Sequence, residues 1–131
     1  MITVLTCGTF DLFHIGHVRI LKRAAALGQR LIVGVSSDEL NISKKNKYPI
    51  YSLEQRMEIL SSLKFVDEVF IEESLEKKEE YIKTYNADIF VIGDDWEGEF
   101  DYLSNCCQVH YLERTPSVST TELIEIIRSV D

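Results

Sequence analysis

Five short apolar runs alternate with helix-like stretches along the chain, and this alternation constrains the fold more than any other feature. The runs cover residues 2–7, 31–36, 66–71, 89–92 and 109–112. Runs of this length that are rich in Val and Ile are typical of strands. Strands that alternate with helices form parallel sheets with both faces covered. We therefore expect α/β architecture: a single Rossmann-like doubly wound domain over residues 1–131, with a five-stranded parallel sheet covered by helices on both faces.

Four stretches between or after these runs carry helix signals. We expect helices at residues 16–27, 52–63 and 75–85, and a last one from Ser119 onward. The second and the last open on Ser-Leu-Glu-Gln and Ser-Thr-Thr-Glu, which are capping-box patterns. Gly28 is placed to end the first helix. The last helix has an apolar stripe that we expect to be buried, formed by Leu123, Ile126, Ile127 and Val130.

The charge of the chain argues against a nucleic-acid partner. Its formal net charge is −8, whereas binding to a phosphate backbone needs a basic face. Residues 67–80 carry seven acids and two lysines, which predicts a solvated face. Residues 41–47 (NISKKNK) carry three lysines and no acid. A small basic patch in an acidic protein suits a small anion better than a polymer.

Cysteine usage and hydropathy favour a cytoplasmic protein. The three cysteines are odd in number and two are adjacent, so neither a disulfide framework nor a zinc site is expected. No apolar run approaches the length of a membrane-spanning helix, and the first residues lack the layout of a signal peptide. We expect no membrane insertion.

Ligands of open parallel sheets bind beyond the carboxyl ends of the strands. Four segments of unusual composition follow predicted strands and should meet there: residues 8–17, 37–51, 93–98 and 114–119. The second of these is long for a strand-to-helix connection, and its lysines repel one another without an anion. We expect residues 41–51 to form a closing lid.

The first segment, GTFDLFHIGH, carries the strongest chemical signal. Its first residues allow a sharp turn out of the strand, and Gly16-His17 then starts a helix whose N–H groups and dipole favour an anion. His14 and His17 can both donate to phosphate oxygens. Two other interpretations remain open: a helix-end histidine with structural hydrogen bonds only, or a metal pair, for which His110 would be a poor third ligand.

Three blocks together resemble a known superfamily. His14-Ile15-Gly16-His17 resembles the HxGH signature of the nucleotidyltransferases related to class I aminoacyl-tRNA synthetases. Residues 114–121 (RTPSVSTT) resemble the RTxGxSTT signature of the cytidylyltransferase branch, and residues 93–98 (GDDWEG) also match that branch. The similarity covers nearly the whole chain.

The resemblance implies transfer of CMP from CTP to a small phosphorylated alcohol, with sn-glycerol 3-phosphate as the first candidate acceptor. The products would be CDP-glycerol, a precursor for surface polymers, and pyrophosphate. Mg²⁺ or another divalent cation would be needed, bound mainly by the triphosphate rather than by protein side chains. The resemblance also implies a homodimer.

The same resemblance implies the roles of individual residues. The implied catalytic residues are His14, His17, Lys44 and Arg114. The implied nucleotide-binding residues are Gly8, Thr9, Phe10, His14, His17, Asp94, Arg114, Thr115, Ser119 and Thr120. The implied acceptor-binding residues are Asp11, Asp38, Lys44, Lys47, Arg56 and Lys64.

The sequence departs from the family pattern near these groups. Ser117 replaces the glycine of the second signature and follows Pro116, Lys64 stands where arginine is usual, and the segment before Arg56 is one residue longer. Lysine keeps the charge but loses the bidentate fork of arginine. The acceptor therefore stays open among glycerol phosphate, phosphoethanolamine, phosphocholine and other polyol phosphates. A non-catalytic nucleotide-binding module is the alternative from a different functional class.

Overall fold

The computed structural model describes residues 1–114 and 119–130. Within these residues the strands and helices alternate as the sequence predicts. In chain order they are β1 (Thr3–Gly8), α1 (Ile15–Ala25), β2 (Arg30–Ser36), α2 (Asp38–Lys45), α3 (Leu53–Ser61), β3 (Glu68–Glu72), α4 (Lys78–Thr84), β4 (Ile89–Gly93), β5 (Gln108–Leu112) and α5 (Thr120–Arg128). Short 3₁₀ turns lie at Leu75–Lys77, Asp94–Trp96 and Asp101–Asn105.

The sheet is parallel throughout, in the order β3-β2-β1-β4-β5. β1 lies at its centre, with Val4 beside Leu31 of β2 on one side and Ile89 of β4 on the other. The chain runs outward from β1 to β3 and then crosses to β4 on the opposite side of β1. This reversal opens a crevice beyond the carboxyl ends of β1 and β4.

Two separate apolar cores cover the two faces of the sheet, because successive strand residues point to opposite sides. Val4 and Leu31 pack with Leu21 of α1 and Leu60 of α3 on one face. The other face packs Leu5, Ile32 and Phe90 with Ile82 of α4 and with Phe100 and Leu103. The expected doubly wound fold with helices on both faces is confirmed.

The lysine-rich segment is not a loop throughout. Residues 38–45 form α2, capped by the Ser37 hydroxyl, which accepts from the Leu40 N–H. The helix ends at Asn46, whose left-handed backbone (φ 56°) terminates it. The expectation of a loop over residues 41–51 is therefore wrong for its first half, and closure of this segment over a ligand stays a prediction. Apolar periodicity across eight mostly polar residues is too weak to reveal such a helix.

α1 ends earlier than expected, at an Ala26 cap with ordinary helical backbone. Gly28 therefore does not cap the helix. A Cβ on Gly28 would lie 2.6 Å from the Ile2 carbonyl oxygen, so glycine is needed there for close approach of the chain to the start of β1.

The apolar stripe of α5 is exposed in the single chain, contrary to expectation. Ile126, Ile127 and Val130 are 60%, 66% and 71% exposed. The amphipathic pattern is present, but no element of the described part of the chain covers this face.

The acidic stretch of residues 67–80 is not wholly solvated either. Glu72, the last residue of β3, and Lys78, the first of α4, are almost completely buried and form an ion pair. Sequence composition could not reveal this pair, because its two members look like their exposed neighbours.

Candidate active site

A cleft of about 1050 Å³ lies beyond the carboxyl ends of β1 and β4. Its walls come from four parts of the chain: the segment from β1 into α1, the segment from α2 to Ile50, the end of β4 with its following turn, and Arg114 with α5. The sequence predicted that these four segments meet. The structure brings them together.

The turn out of β1 carries backbone strain. Phe10 and Leu12 both adopt left-handed backbone, with φ of 54° and 48°. Such conformations are rare outside glycine and concentrate at functional sites. The Phe10 ring folds back over Gly8, where a Cβ would lie 2.9 Å from it. The turn thus aims the chain sharply into α1.

His14 and His17 are bound to each other and to the start of α1. His14 Nδ1 accepts from the Gly16 N–H at 3.0 Å, and His17 Nδ1 accepts from the His14 N–H at 3.1 Å. The two rings stack with centroids 3.8 Å apart. The rings of Phe10 and Phe13 pack against the His17 ring, with centroids 5.5 and 5.3 Å from its centroid. Since each Nδ1 accepts, the proton of each neutral imidazole resides on Nε2.

His14 Nε2 has no hydrogen-bond partner among the described residues, although the atom is buried. A buried polar atom without a protein partner is costly to leave unpaired, so this N–H is placed to donate to a group that enters the cleft. Burial, and secondarily the positive charge of Arg114, lower the pKa of His14 below its ordinary value. At neutral pH this residue therefore presents a neutral Nε2–H donor.

Two lysines lie on the wall formed by α2 and the residues after it. Lys44 donates from Nζ to the Ser36 hydroxyl at 3.1 Å. Lys47 is exposed at the rim. Lys44 is thereby anchored, whereas Lys47 lies on the short segment beyond the end of α2.

Arg114 lies across the cleft from α2, at the exit of β5. Its Nη1 is 4.0 Å from the Asp95 carboxylate. Arg23 of α1 fixes the chain just before it by donating to the Glu113 carbonyl at 2.6 Å. The guanidinium of Arg114 is more than half exposed, so it can still turn toward a bound anion.

Asp11 ties three rim segments together. Its carboxylate accepts from the backbone N–H groups of Ile50 and Tyr51 at 2.7 and 2.9 Å. Its carbonyl accepts from the hydroxyl of Thr120, the first residue of α5. Ser119 caps that helix by accepting from the Glu122 N–H. Asp11 therefore shapes the cleft through backbone contacts rather than offering an unoccupied carboxylate.

Arg56 and Asp38 organise the floor behind the cleft. The Arg56 guanidinium is fully buried and pairs with Asp38 at 2.7 Å. It also donates to the carbonyls of Thr9, Ser36 and Tyr51. Neither Arg56 nor Asp38 lines the cleft, so the structure does not bring these two predicted acceptor-binding residues to it.

Three other predicted residues are not gathered into the cleft. Lys64 is exposed and lies four residues before β3, at the amino end of the sheet. The sequence had placed it near the opposite end, where the cleft of the same chain lies. Asp94 neighbours the cleft, but the lining there is formed by Gly93 and Asp95. Thr115 lies outside the described residues, as do Pro116 and Ser117.

The remaining predicted residues all line the cleft, namely Gly8, Thr9, Phe10, Asp11, His14, His17, Lys44, Lys47, Arg114, Ser119 and Thr120. Other lining residues belong to segments or motifs that the sequence predicted at this edge but received no individual role, among them Asn41, Tyr48, Ile50, Asp95, Trp96 and Thr121. Ile124, Glu125 and Arg128 of α5 were not predicted at all. For those on α5 a signal existed, because residues 120, 121, 124, 125 and 128 share one helical face. Asn41 gave none; it is buried and accepts from the Thr9 hydroxyl at 2.7 Å.

Aromatic surface lies near the polar groups of the cleft. Trp96 packs against Phe100 with ring centroids 5.5 Å apart and lines the cleft beside Asp95. Tyr48 and Ile50 form the exposed rim opposite. The cleft thus combines cations, neutral N–H donors and apolar surface.

Neither a metal cluster nor a membrane span occurs in residues 1–114 and 119–130. No group of three or more His, Cys, Asp or Glu side chains is arranged there to hold a metal ion. No helix in those ranges combines the length and apolar character needed to cross a bilayer.

Comparisons with known proteins agree with this geometry. A family model described as cytidylyltransferase-like matches residues 5–126. The chain is 48% identical over 124 residues to the glycerol-3-phosphate cytidylyltransferase of Bacillus subtilis, covering 95% of both chains. It is 46% identical over 120 residues to the enzyme of the same name from Staphylococcus aureus, covering 92% of this chain and 90% of that one.

The fold has a solved counterpart. The crystal structure of the lipopolysaccharide core biosynthesis protein from Thermoplasma volcanium superimposes with a TM-score of 0.77 at 26% identity, covering 88% of this chain and 98% of that one. The family match spans nearly all of the sheet and the cleft. The chain belongs to the cytidylyltransferase-like family.

Proposed function

We propose that this chain is a glycerol-3-phosphate cytidylyltransferase. It transfers CMP from CTP to sn-glycerol 3-phosphate and releases CDP-glycerol and pyrophosphate. The curated relatives that support this acceptor match almost end to end. CDP-glycerol would then supply glycerol phosphate units to a surface polymer.

The observation that carries the proposal is the fixed histidine pair at the start of α1. Each imidazole uses Nδ1 to accept a backbone N–H, which keeps its proton on Nε2. Lys44 and Arg114 line the same cleft. Neutral donors beside cations at a helix start suit a triphosphate, whose charge they stabilise without proton transfer.

The reaction follows from these groups. An oxygen of the acceptor phosphate attacks the α-phosphorus of CTP, the new P–O bond forms, and the bond to the β-phosphate breaks. The acceptor phosphate is already largely ionised at neutral pH, so no strong general base is required. His14, His17 and Arg114 stabilise the charge on the α-phosphate and on the departing pyrophosphate. Residues 8–10 and the start of α5 hold the nucleotide in line.

The acceptor binds at the α2 side of the cleft in this proposal. Lys44 and Lys47 are the cations there. Asp11, Asp38 and Arg56 hold the shape of that end through the contacts described above. Lys64 lies at the amino end of its own sheet, away from the cleft. In this proposal it could contact the acceptor only in the cleft of a second chain.

Mg²⁺ would enter with CTP, held mainly by the triphosphate. No group of three side chains suited to a metal ion occurs among residues 1–114 and 119–130. When bound, Mg²⁺ would neutralise part of the phosphate charge. His14, His17 and Arg114 would receive the nucleotide together with its cation.

A homodimer in the cytoplasm completes the proposal. The exposed apolar stripe of α5 would be covered by a second copy of the chain. Cys7, Cys106 and Cys107, all within the described ranges, are free thiols, as suits a reducing compartment.

The test is turnover with a panel of acceptors. Purified protein is incubated with CTP, Mg²⁺ and glycerol 3-phosphate, phosphocholine, phosphoethanolamine or ribitol phosphate, and pyrophosphate is followed. We expect the highest kcat/KM with glycerol 3-phosphate. Use of ATP in place of CTP would overturn the cytidylyl assignment, and a preference for phosphocholine would change the acceptor alone. If no acceptor of the panel supported pyrophosphate release, the chain would be a nucleotide-binding module without catalytic activity.

A further inference from the structure

A line of hydrogen bonds connects Lys44 in the cleft to the buried ion pair beneath it. Lys44 Nζ donates to Ser36 Oγ at 3.1 Å, and Ser36 Oγ donates to Glu72 Oε1 at 2.9 Å. The second oxygen of Glu72 pairs with Lys78 Nζ. Ser36, Glu72 and Lys78 are each no more than 1% exposed.

Fold stability alone explains this pair poorly. Removing two charges from water is costly, and apolar residues of the same shape often stabilise a fold as well or better. Burial lowers the pKa of Lys78, because desolvation disfavours its charged form. Besides Glu72, the Phe100 ring lies near it, with its centroid 5.3 Å away, and the Cys7 thiol interacts with it electrostatically.

The direction of the hydrogen bonds suggests a role for the Glu72–Lys78 ion pair. An ionised carboxylate only accepts, so Glu72 takes the single hydroxyl proton of Ser36. The lone pairs of Ser36 Oγ then face Lys44, whose ammonium only donates. The contact with Lys78 favours the ionised form of Glu72, because an opposite charge at contact distance stabilises a carboxylate. Without this charge the Ser36 hydroxyl would be able to rotate and lose its role as an acceptor.

We propose that Ser36, Glu72 and Lys78 are positioning residues that hold the Lys44 ammonium at the cleft wall, ready for a phosphate. This proposal rests on the proposed function, since it assigns Lys44 to substrate phosphate. The backbone at Ser36 does not depend on its hydroxyl, because its carbonyl accepts from Arg56 and Asn41. Removing the hydroxyl therefore tests the connection without dismantling the strand end.

The first experiment compares Ser36→Ala with Ser43→Ala. Ser43 precedes Lys44 on α2, and its hydroxyl donates only to the Leu40 carbonyl in the described structure. With CTP and glycerol 3-phosphate we expect Ser36→Ala to lower kcat/KM about tenfold, as for one lost charge-assisted hydrogen bond. Ser43→Ala should stay within about twofold of the parent.

A double-mutant cycle then separates positioning from simple destabilisation. In a Lys44→Met background, Ser36→Ala should have no further effect on kcat/KM, because the group that the hydroxyl positions is gone. An equal, additive loss in both backgrounds would overturn the proposal.

The ion pair is tested with its exposed neighbours as controls. Glu73 and Lys77 pair at 3.8 Å on the surface, one residue from each buried partner. Glu72→Gln should lower kcat/KM as Ser36→Ala does, and Glu73→Gln should not. If Glu72→Gln unfolds the chain because Lys78 is left unpaired, the double variant Glu72→Gln with Lys78→Met removes both charges. This double variant is then measured with and without Lys44→Met, as for Ser36→Ala.

A readout without turnover keeps the two proposals distinguishable. NMR order parameters of the Lys44 ε-methylene should be high in the parent and fall in Ser36→Ala, whatever substrates the protein uses. Unchanged Lys44 mobility would refute positioning even if glycerol phosphate is the acceptor. Conversely, a fall in Lys44 order in a protein without turnover would leave the positioning intact and refute the proposed function.

Discussion

In the proposed reaction, two side chains at the start of α1 carry the chemistry of the cleft. His14 and His17 each use Nδ1 to accept a backbone N–H at the helix start, while Nε2 carries the proton. The two rings also stack on each other beside these contacts. Replacement by alanine would therefore confuse loss of the cap with loss of the donor, and amide replacements separate the two.

For His17 we predict different outcomes for asparagine and glutamine. His17→Asn can still accept from the His14 N–H but lacks the distal donor, so kcat should fall about 10²–10³-fold while thermal stability stays near that of the parent. His17→Gln places an amide N–H near the former Nε2 and should keep more activity. Steady-state kinetics and thermal unfolding measure both. Turnover of His17→Asn at the parent rate would refute a role for the donor.

For His14 we predict a pKa below about 6.5 in the ligand-free protein, since burial and then Arg114 both disfavour its charged form. As the pH falls, His14 therefore becomes protonated at a higher pH in the unfolded chain than in the native protein. The contribution of His14 to the free energy of unfolding is complete above about pH 6.5 and declines as the pH falls toward the lower native pKa.

NMR titration of the His14 ring measures this directly. Arg114→Gln should raise the pKa of His14 part of the way, because burial remains. Arg19→Gln, on the outer side of α1, is the matched control and should leave it unchanged. A pKa unaffected by Arg114→Gln would show that the guanidinium does not act on this imidazole.

At the scale of elements, α2 leaves only a short stretch of the lysine-rich segment outside a helix or an anchoring contact. The lysine-bearing helix is held by backbone hydrogen bonds, among them Asn41 N–H to the Ser37 carbonyl and Asn46 N–H to the Ile42 carbonyl. Ile50 and Tyr51 are held by the Asp11 carboxylate. Only Lys47, Tyr48 and Pro49 lie between these two anchors. We therefore expect closure over CTP to involve this three-residue bridge.

Hydrogen exchange should show this division. Without ligand, amides 41–46 should exchange slowly and those of Lys47 and Tyr48 quickly. Saturating CTP should slow the latter two as the Lys47 charge pairs with phosphate. Asp11→Ala should speed exchange at residues 50 and 51 without affecting 41–46. Equal exchange of the bridge with and without CTP would mean that it is a plain connection.

At the scale of the whole molecule, α/β alternation was enough to predict the sheet, its parallel pairing and the edge where the cleft lies. Those features follow from apolar runs and from general rules of strand connection. The burial of Arg56, Lys78 and Glu72 could not be predicted from the sequence, because burial of a charged side chain depends on partners distant in sequence. The α5 stripe was recognised as apolar, but a sequence does not state which surface covers it.

That stripe leads to a prediction on assembly. Because water-exposed Ile126, Ile127 and Val130 form one apolar face, we expect the protein to be a dimer of about twice 15.1 kDa in light scattering. Ile127→Glu should shift it to the monomer. Ile2→Glu, at the amino edge of the sheet, is the matched control and should remain dimeric. A monomeric parent would refute this contact.

The position of Trp96 has a practical consequence for every binding measurement. It is the one tryptophan among the 131 residues, and its indole lies in the cleft wall against Phe100. Light that excites indole selectively therefore yields emission from a single place in the molecule. A nucleotide that enters the cleft changes the polarity and quenching around that ring. The protein thus carries its own fluorophore, and substrate occupancy can be followed without a label.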